Sequence, residues 1–305
     1  MELHTCLWND VDAFDFRRED LQPLLDAHPD LVLHHHKTAD SFLGQCANAR
    51  LVLTWDFLAD WYQYCPDLEL ILTPAAGNDW IQPDPQGHTR IEHGSFHGPI
   101  LAESLLQAIL FMNHRLPHMI ANFKARGWNR NIQSKARLLS QQTVLIVGLG
   151  NIGSYCAEKI QQFGARVIGV KRTPDSGTIK HIPVFGAERL TELLPQADHV
   201  ILLLPGNEET DRFMSPEKLK ACKPGAIIYN FGRGNALLTE DLLQHWDHLG
   251  GAFLDVTDEE PLPSDSPLWE LDNIMITPHS SCVYRDYRRM FIDEVIEKLN
   301  DYPRS

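Results

Sequence analysis

The chain has 305 residues, of which 43% are hydrophobic and 22% charged, a composition that excludes a largely disordered protein. Its 27 basic and 41 acidic residues leave a formal net charge of −14, which disfavours nucleic acid as a partner because phosphate backbones are anionic. The length predicts two domains.

Neither a membrane span nor a secretory signal is expected from the sequence. No apolar run approaches the roughly 20 residues that cross a bilayer, and residues 1–10 lack a basic segment followed by a long apolar stretch. The 6 cysteines are scattered without a C-x-x-C pair, which predicts free thiols in a reducing compartment. We therefore expect a cytoplasmic protein.

Short apolar runs alternate with helix-like segments over the first 80 or so residues, a pattern typical of a parallel α/β sheet. Strands are predicted at 5–8, 31–33, 51–53 and 68–72, and helices at 17–27, 41–47 and 58–64. Residues 73–98 are rich in Gly, Pro and His, and predict a loop at a domain edge.

The triplet His34-His35-His36 follows the strand predicted at 31–33. No acidic residue or cysteine lies near it in the sequence at a spacing typical of metal ligands. We interpret the triplet as the end of a strand, and the sequence predicts no metal site.

A long helix is predicted at 100–113, and a second α/β series begins at Thr143. Its strands are predicted at 144–147, 167–170, 200–204, 226–229, 252–256 and 274–276, with an amphipathic helix at 284–299. A glycine-rich motif follows the first of these strands.

The motif G-x-G-x-x-G occupies positions 148–153, between the strand at 144–147 and a helix predicted at 154–163. In such a motif Gly148 allows a tight turn, Gly150 lets the backbone approach a pyrophosphate, and Gly153 lets helix and strand pack closely. The helix N-terminus favours an anion. The predicted dinucleotide site comprises Gly148, Leu149, Gly150, Asn151, Ile152 and Gly153.

The end of the second strand of this unit distinguishes the two nicotinamide cofactors. An NAD site carries Asp or Glu there, whereas this chain has Lys171, Arg172 and Thr173. Because the basic side chains would attract a 2′-phosphate, the sequence favours NADP(H) over NAD(H). The alternative is that both are solvated loop residues.

Three further strand ends carry a cation, carboxylates and a histidine. These groups are Arg233, the carboxylates of Asp255, Asp258, Glu259 and Glu260, and His279. Such a set suits reduction of a 2-keto acid, which needs a cation for the carboxylate and a proton source beside the carbonyl. Taken singly, each has an ordinary alternative as an ion-pair partner, a solvated acid or a loop cap.

From about residue 68 to residue 284 the chain resembles the D-isomer-specific 2-hydroxyacid dehydrogenase family. The resemblance rests on segments 144–153, 197–205, 223–225, 230–234, 255–261, 267–269 and 277–279, in this order. The basic pair at 171–172 is similar to that of the NADPH-using glyoxylate and hydroxypyruvate reductases. Two departures are Pro205, where the family usually has Thr, and Phe231-Gly232, where it usually has Thr-Ala. Backbone contacts to the nicotinamide are therefore expected at positions 231–232.

The resemblance implies a role for each matching residue. Arg233 binds the substrate carboxylate and polarises the keto oxygen, and His279 is the acid in reduction and the base in oxidation. Glu260 hydrogen-bonds His279, fixes its ring and favours its imidazolium form. Asp255 hydrogen-bonds the nicotinamide carboxamide. Backbone N–H groups around Ala75, Ala76 and Gly77 are implied to bind the substrate carboxylate from the first domain. Trp55 is a further candidate for substrate contact because it is predicted to lie on a loop that could line the pocket.

The expected architecture is two Rossmann-like, doubly wound parallel-sheet α/β domains with a cleft between them. Residues 1–98 with 286–305 form the substrate domain, and 99–285 the dinucleotide-binding domain. The family also implies a homodimer that uses the helix at 100–113. The expected substrate is a small keto acid such as glyoxylate, hydroxypyruvate or pyruvate, because bulky rings could line the pocket. Those rings, which are equally plausible as packing residues, are Trp55, Trp80, His93, Phe96 and His97.

Two other functions stay open on the sequence. Some relatives of this fold are nucleotide-sensing corepressors that bind proteins, although such a module has no need of Arg233, Glu260 and His279 together. A dehydrogenase of another small anion, such as formate or phosphite, would use the same fold.

Overall fold

The computed structural model describes residues 1–173, 178–179 and 181–302. The chain divides into two compact units, Met1–His97 with Val283–Ser305, and Gly98–Cys282. The first unit contains the predicted substrate domain's segments and the second the glycine-rich motif. Which ligand each unit binds stays a prediction.

A parallel sheet forms the centre of the first unit. Its strands are Glu2–Cys6 (β1), Val32–His36 (β2), Leu51–Thr54 (β3), Leu70–Thr73 (β4) and Arg90–His93 (β5). They lie in the order β2-β1-β3-β4-β5, and all four pairings are parallel. This is the flavodoxin-like order of a doubly wound sheet.

The second unit contains a larger sheet. Its strands are Thr143–Val147 (β6), Arg166–Lys171 (β7), Thr178–Ile179 (β8), Ile182–Gly186 (β9), His199–Leu202 (β10), Ile227–Asn230 (β11), Gly251–Leu254 (β12) and Ile274–Ile276 (β13). They lie in the order β13-β12-β11-β10-β6-β7-β9-β8, in which only β8 runs antiparallel to its neighbour among the described strands. The order β9-β7-β6-β10-β11-β12 is that of a Rossmann fold. The predicted fold class of two parallel-sheet α/β domains is confirmed.

Helices cover both sheets. They are Gln22–Ala27 (α1), Ala39–Leu43 (α2), His97–Asn113 (α3), Leu116–Lys124 (α4), Asn151–Gln162 (α5), Leu190–Leu193 (α6), Pro216–Ala221 (α7), Thr239–Gln244 (α8) and Tyr287–Asn300 (α9). None of the described helices is both long and apolar enough to cross a membrane.

The alternating direction of side chains along β6 explains why the larger sheet has helices on both faces. Val144 and Ile146 pack into one hydrophobic core with α3 and α5, whereas Leu145 and Val147 pack into the other with α6, α7 and α8. Because a strand points successive side chains to opposite faces, a continuous apolar run is buried on both sides. The carboxyl ends of the strands are then free to carry loops at one edge.

Several elements differ from the sequence-based predictions. β5 lies inside the predicted loop 73–98, and the predicted strand at 5–8 runs instead over Glu2–Cys6. Polar residues make both strands hard to recognise in the sequence, since β5 has the sequence Arg-Ile-Glu-His and β1 includes Glu2 and His4. The parallel pairing that defines them comes from distant segments, which composition alone does not reveal.

Candidate active site

The glycine-rich turn joins β6 to α5 in the second unit. Gly148 has a φ of 104°, and a Cβ there would lie 2.4 Å from the carbonyl oxygen of Leu203. A Cβ on Gly153 would lie 2.4 Å from the oxygen of Gly148. The packing of the chain itself therefore requires glycine at both positions.

Gly150 is different, because nothing lies within 4 Å of the position its Cβ would take. Gly150 is the N-cap of α5 and has no side chain with which to cap the first helical turn. An open space thus faces backbone N–H groups at the positive end of a helix, an arrangement that suits a pyrophosphate. Of the neighbouring candidates, Asn151 is exposed and Ile152 half-buried, whereas the Leu149 side chain is buried in the core.

Replacing Gly150 by alanine tests this difference. We expect the unfolding free energy to change by less than about 0.5 kcal/mol, because the new methyl group meets open space. Dinucleotide binding should weaken about tenfold or more, because the methyl group would occupy the approach to the backbone. Chemical denaturation and fluorescence titration with NADPH measure the two effects. Gly148→Ala is the matched control and should lose stability; unchanged NADPH affinity in Gly150→Ala would contradict the assignment.

The end of β7 carries the basic residues. Lys171 is the last residue of the strand and is half-buried, whereas Arg172 and Thr173 are exposed. A guanidinium nitrogen of Arg172 lies 2.5 Å from a carboxylate oxygen of Glu209. Such exposed ion pairs contribute little stability, so a phosphate could compete with Glu209 for Arg172. The sequence did not anticipate this carboxylate.

A tight turn after β11 positions Arg233. The buried side chain of Asn230 accepts a hydrogen bond from the Gly232 amide at 3.2 Å and donates one to the Arg233 carbonyl at 3.1 Å. A Cβ on Gly234 would lie 1.7 Å from the Thr257 oxygen, so this turn packs directly on the loop that follows β12. Asn230 was missed as a functional residue; its signal was its place as the last residue of a strand before a candidate arginine.

Asp255 organises the neighbouring loop. It is 2% exposed, and one carboxylate oxygen accepts from the Thr277 hydroxyl at 2.6 Å and the Ser280 amide at 2.9 Å. The other accepts from the Ser281 amide at 3.1 Å. These three bonds fix the orientation of the buried carboxylate. The predicted contact to a nicotinamide carboxamide stays a prediction.

His279 and Glu260 form a pair beside this loop. The Nδ1 atom of His279 lies 2.9 Å from a carboxylate oxygen of Glu260, and the other oxygen of Glu260 accepts from the Thr257 amide at 3.1 Å. His279 has a φ of 49°, a left-handed conformation that costs a non-glycine residue of order 1–3 kcal/mol. Its amide donates to the carbonyls of Asp255 and Thr277 at 2.8 and 2.9 Å, which hold the strained residue in place.

Cys282, the last residue of this unit, has a thiol whose pKa is shifted by its surroundings. Burial, followed by the Asp255 carboxylate, raises the pKa of the Cys282 thiol to about 12, and a hydrogen bond with Ser281 and then the charge of Arg233 oppose the rise. The thiol is therefore neutral at physiological pH and is no candidate nucleophile.

β11, β12 and β13 are adjacent and parallel, so their carboxyl ends lie at one edge of the sheet. The structure thus brings the loops of Arg233, Glu260 and His279 to the same edge. Phe231 differs, because its ring stacks on Phe253 at 5.4 Å in the core and leaves only its backbone for a cofactor.

Pro205 and Gly232 belong to the neighbouring turns at this edge. The Pro205 carbonyl accepts from the Thr210 hydroxyl at 2.6 Å, which closes the turn that follows β10. A Cβ on Gly232 would lie 2.5 Å from the Leu204 oxygen, so the turns after β10 and β11 pack together.

The remaining candidates lie in the first unit. Trp55 is buried, donates its ring N–H to the Phe14 carbonyl at 3.2 Å and stacks near Tyr287. Phe96 and His97 pack against the same tyrosine ring, so all three side chains lie beside Tyr287, and whether they also line a substrate pocket stays a prediction.

Two further rings and one loop in this unit were also candidates. Trp80 is 45% exposed, and His93 is half-buried in β5. The loop Ala75-Ala76-Gly77 follows β4, and the Ala75 carbonyl accepts from the Gly94 amide at 3.0 Å. Substrate binding by this loop and by Trp55 stays a prediction.

The second unit combines a Rossmann sheet, a glycine-rich turn, and charged and histidine side chains in the loops at the carboxyl ends of the strands. These features define a dinucleotide-binding α/β protein of the oxidoreductase class. Residues 106–281 match the model of the D-isomer specific 2-hydroxyacid dehydrogenase NAD binding domain. The chain therefore belongs to the D-isomer-specific 2-hydroxyacid dehydrogenases, a family of NAD(P)-dependent oxidoreductases, and the predicted resemblance is confirmed.

Solved structures and a curated relative agree with this membership. A family member from Xanthobacter autotrophicus Py2, in complex with NADPH and MES, is 25% identical with a TM-score of 0.84 and covers 98% of this chain and 93% of its own. A probable 2-hydroxyacid dehydrogenase from Rhizobium etli CFN 42, in complex with NADP, HEPES and L(+)-tartaric acid, is 27% identical with a TM-score of 0.80, covering 98% and 93%. A glyoxylate reductase from Pyrococcus furiosus is 35% identical over 170 residues, 54% of this chain and 49% of the relative. The chain spans about half the length of the curated relatives it matches.

Proposed function

We propose that the protein reduces a small 2-keto acid, such as glyoxylate or hydroxypyruvate, to the D-2-hydroxy acid, with NADPH as the preferred donor. The observation that carries the proposal is the 2.9 Å contact between His279 and Glu260, at the same sheet edge as the Arg233 turn. A histidine oriented by a carboxylate beside a cation is the arrangement that proton transfer to a bound keto acid needs.

In the proposed reaction the keto carbon gains a hydride and the keto oxygen gains a proton, so the carbonyl becomes a hydroxyl. When bound, the nicotinamide cofactor supplies the hydride. His279 donates the proton from Nε2, because Nδ1 is held by Glu260. The Glu260 carboxylate orients the ring for the transfer. Arg233 binds the substrate carboxylate and stabilises negative charge on the keto oxygen.

The substrate class is tested by steady-state kinetics with a panel of 2-keto acids, each with NADPH and with NADH. We expect turnover with glyoxylate or hydroxypyruvate, D-configured chiral products and higher kcat/KM with NADPH. Support for small substrates comes from the relatives named glyoxylate reductase. Absence of turnover with every keto acid would overturn the proposal.

The cofactor preference is attributed to Lys171 and Arg172. Replacing both by alanine should raise the KM for NADPH about 10–100-fold, because charge-assisted hydrogen bonds contribute roughly 1.5–3 kcal/mol. The KM for NADH should hardly change, because NADH lacks the 2′-phosphate. Glu209→Gln is the matched control, which removes the carboxylate that pairs with Arg172 and should improve NADPH binding. Equal changes for both cofactors in the alanine variant would refute the assignment.

We also propose that the protein acts in the cytoplasm as a homodimer. Large apolar side chains on and after α4 support the dimer, since Phe123 is 80%, Trp128 90% and Leu138 65% exposed. Light scattering measures the molar mass in solution, and a monomer at micromolar concentration would contradict this proposal.

A further inference from the structure

A cluster of metal-binding side chains lies on the first unit's sheet, outside the residues assigned to catalysis. The parallel register places His4 of β1 opposite His34 of β2. Since alternate residues of a strand share a face, Glu2 and His4 point to the same side as His34 and His36. These four residues, termed the histidine–glutamate cluster, come together only through strand pairing, which spacing along the sequence does not reveal.

The ligand atoms of three members are close together. One such atom from each of Glu2, His4 and His34 lies within 4.8 Å of the other two. The Nε2 atom of His34 is 2.6 Å from a carboxylate oxygen of Glu2, and both side chains are about one-third exposed. The partly exposed pair gives an ion a route to His4, which is fully buried.

The hydrogen bonds around His4 involve its Nδ1 atom, and the Asn48 side chain also interacts with the ring. Its Nδ1 lies 3.1 Å from Nε2 of His36, and Nδ1 of His36 lies 3.2 Å from the Ser41 hydroxyl. Nε2 of His4 is buried without a hydrogen-bond partner among the described residues. If each Nδ1–H donates along the chain from His4 to His36 to Ser41, the lone pair on His4 Nε2 remains available.

We propose that the cluster binds a divalent transition-metal cation of the Zn²⁺ class through Glu2, His4 Nε2 and His34. Two imidazoles and a carboxylate are donors that this class prefers over Ca²⁺ or Mg²⁺. His36 and Ser41 orient the His4 ring, as outer hydrogen-bond partners commonly do for ligating histidines.

Binding requires a local change in side-chain conformation. The His4 and His34 rings stack with centroids 4.4 Å apart and planes inclined by 19°. Lone pairs in nearly parallel planes do not converge, and ligand atoms around a tetrahedral Zn²⁺ stand roughly 3.3 Å apart. The partly exposed His34 ring therefore turns to meet the ion, while buried His4 stays in place.

The test uses chelator-treated protein without a polyhistidine tag and measures Zn²⁺ binding by calorimetry. We expect one ion per chain and a zinc-dependent rise in the unfolding temperature. His34→Gln should weaken binding about 100-fold or more, because even the loss of an outer partner costs roughly 10–100-fold. His36→Ala removes only an outer hydrogen-bond partner, so it should weaken Zn²⁺ binding by roughly 10–100-fold. Co²⁺ should give the visible absorption of a tetrahedral site in the wild type but not in His34→Gln.

His35→Gln is the matched control, because His35 is a neighbour in sequence but bonds Thr5 on the opposite face of the sheet. It should bind Zn²⁺ as the wild type does. Equal weakening in His35→Gln and His34→Gln would mean that the triplet binds as an exposed run, and would overturn the proposal, as would the absence of stoichiometric binding. Should His34→Gln misfold by circular dichroism, Glu2→Gln decides the same question. These measurements need neither NADPH nor a keto acid, so they are independent of the proposed catalysis.

Discussion

Replacing His279 by glutamine should lower kcat for keto-acid reduction by about 10²–10⁴-fold, the range that a positioned general acid contributes. Nδ1 of His279 lies 2.9 Å from a carboxylate oxygen of Glu260. The glutamine amide can donate a hydrogen bond to the same carboxylate, so the loop should keep its conformation. It cannot release a proton at neutral pH. Stopped-flow and steady-state kinetics measure the loss, and fluorescence titration should find NADPH affinity within about twofold of the wild type, because the proposed cofactor contacts lie elsewhere.

His88→Gln is the control for this variant, because His88 is an exposed histidine in the first unit. It should leave kcat unchanged. The unfolding free energy of both variants should match that of the wild type, which separates loss of a proton donor from loss of the fold. Near-normal turnover in His279→Gln would remove this residue from the mechanism.

The dinucleotide turn could be predicted from sequence because its constraints are local. The strand, the glycines and the helix are contiguous, and Gly148 and Gly153 are required by contacts with neighbouring backbone. The side chain of Leu149 was harder to assign, since it packs into the core and only its backbone remains for a cofactor, whereas backbone contacts at Phe231 were already expected from the sequence. A motif identifies a position but does not decide where its side chain points.

Asp255 illustrates what the sequence could not provide. Its carboxylate accepts hydrogen bonds from Thr277, Ser280 and Ser281, which follow it by 22, 25 and 26 positions. These bonds arise because β12 and β13 are neighbours in the sheet. The same holds for Glu209 beside Arg172, which lies 37 positions away. The sequence indicated candidate site residues and Glu260 as the partner of His279, but not the groups that hold Asp255 or compete for Arg172.

Replacing Arg233 by alanine should reduce kcat/KM for a 2-keto acid by about 10²–10³-fold, as for removal of a preorganised donor to developing negative charge. The turn itself should survive, because Asn230 bonds the backbone at Gly232 and Arg233 rather than the guanidinium. Arg233→Lys should recover only part of the activity, since an ammonium keeps the charge but loses the planar fork that binds a carboxylate. NADPH affinity should be little changed in both variants.

Rescue by added guanidinium separates charge loss from misfolding in this series. The cavity left by Arg233→Ala should admit guanidinium, which would restore activity in proportion to its concentration below denaturing levels. Arg189→Ala is the matched control, because Arg189 pairs with Glu192 at 3.0 Å on the surface of the same unit, and it should need no rescue. An alanine variant with unchanged kcat/KM would show that another group binds the keto acid. Full activity in Arg233→Lys would instead show that the positive charge alone suffices and that bidentate binding of the carboxylate is not required.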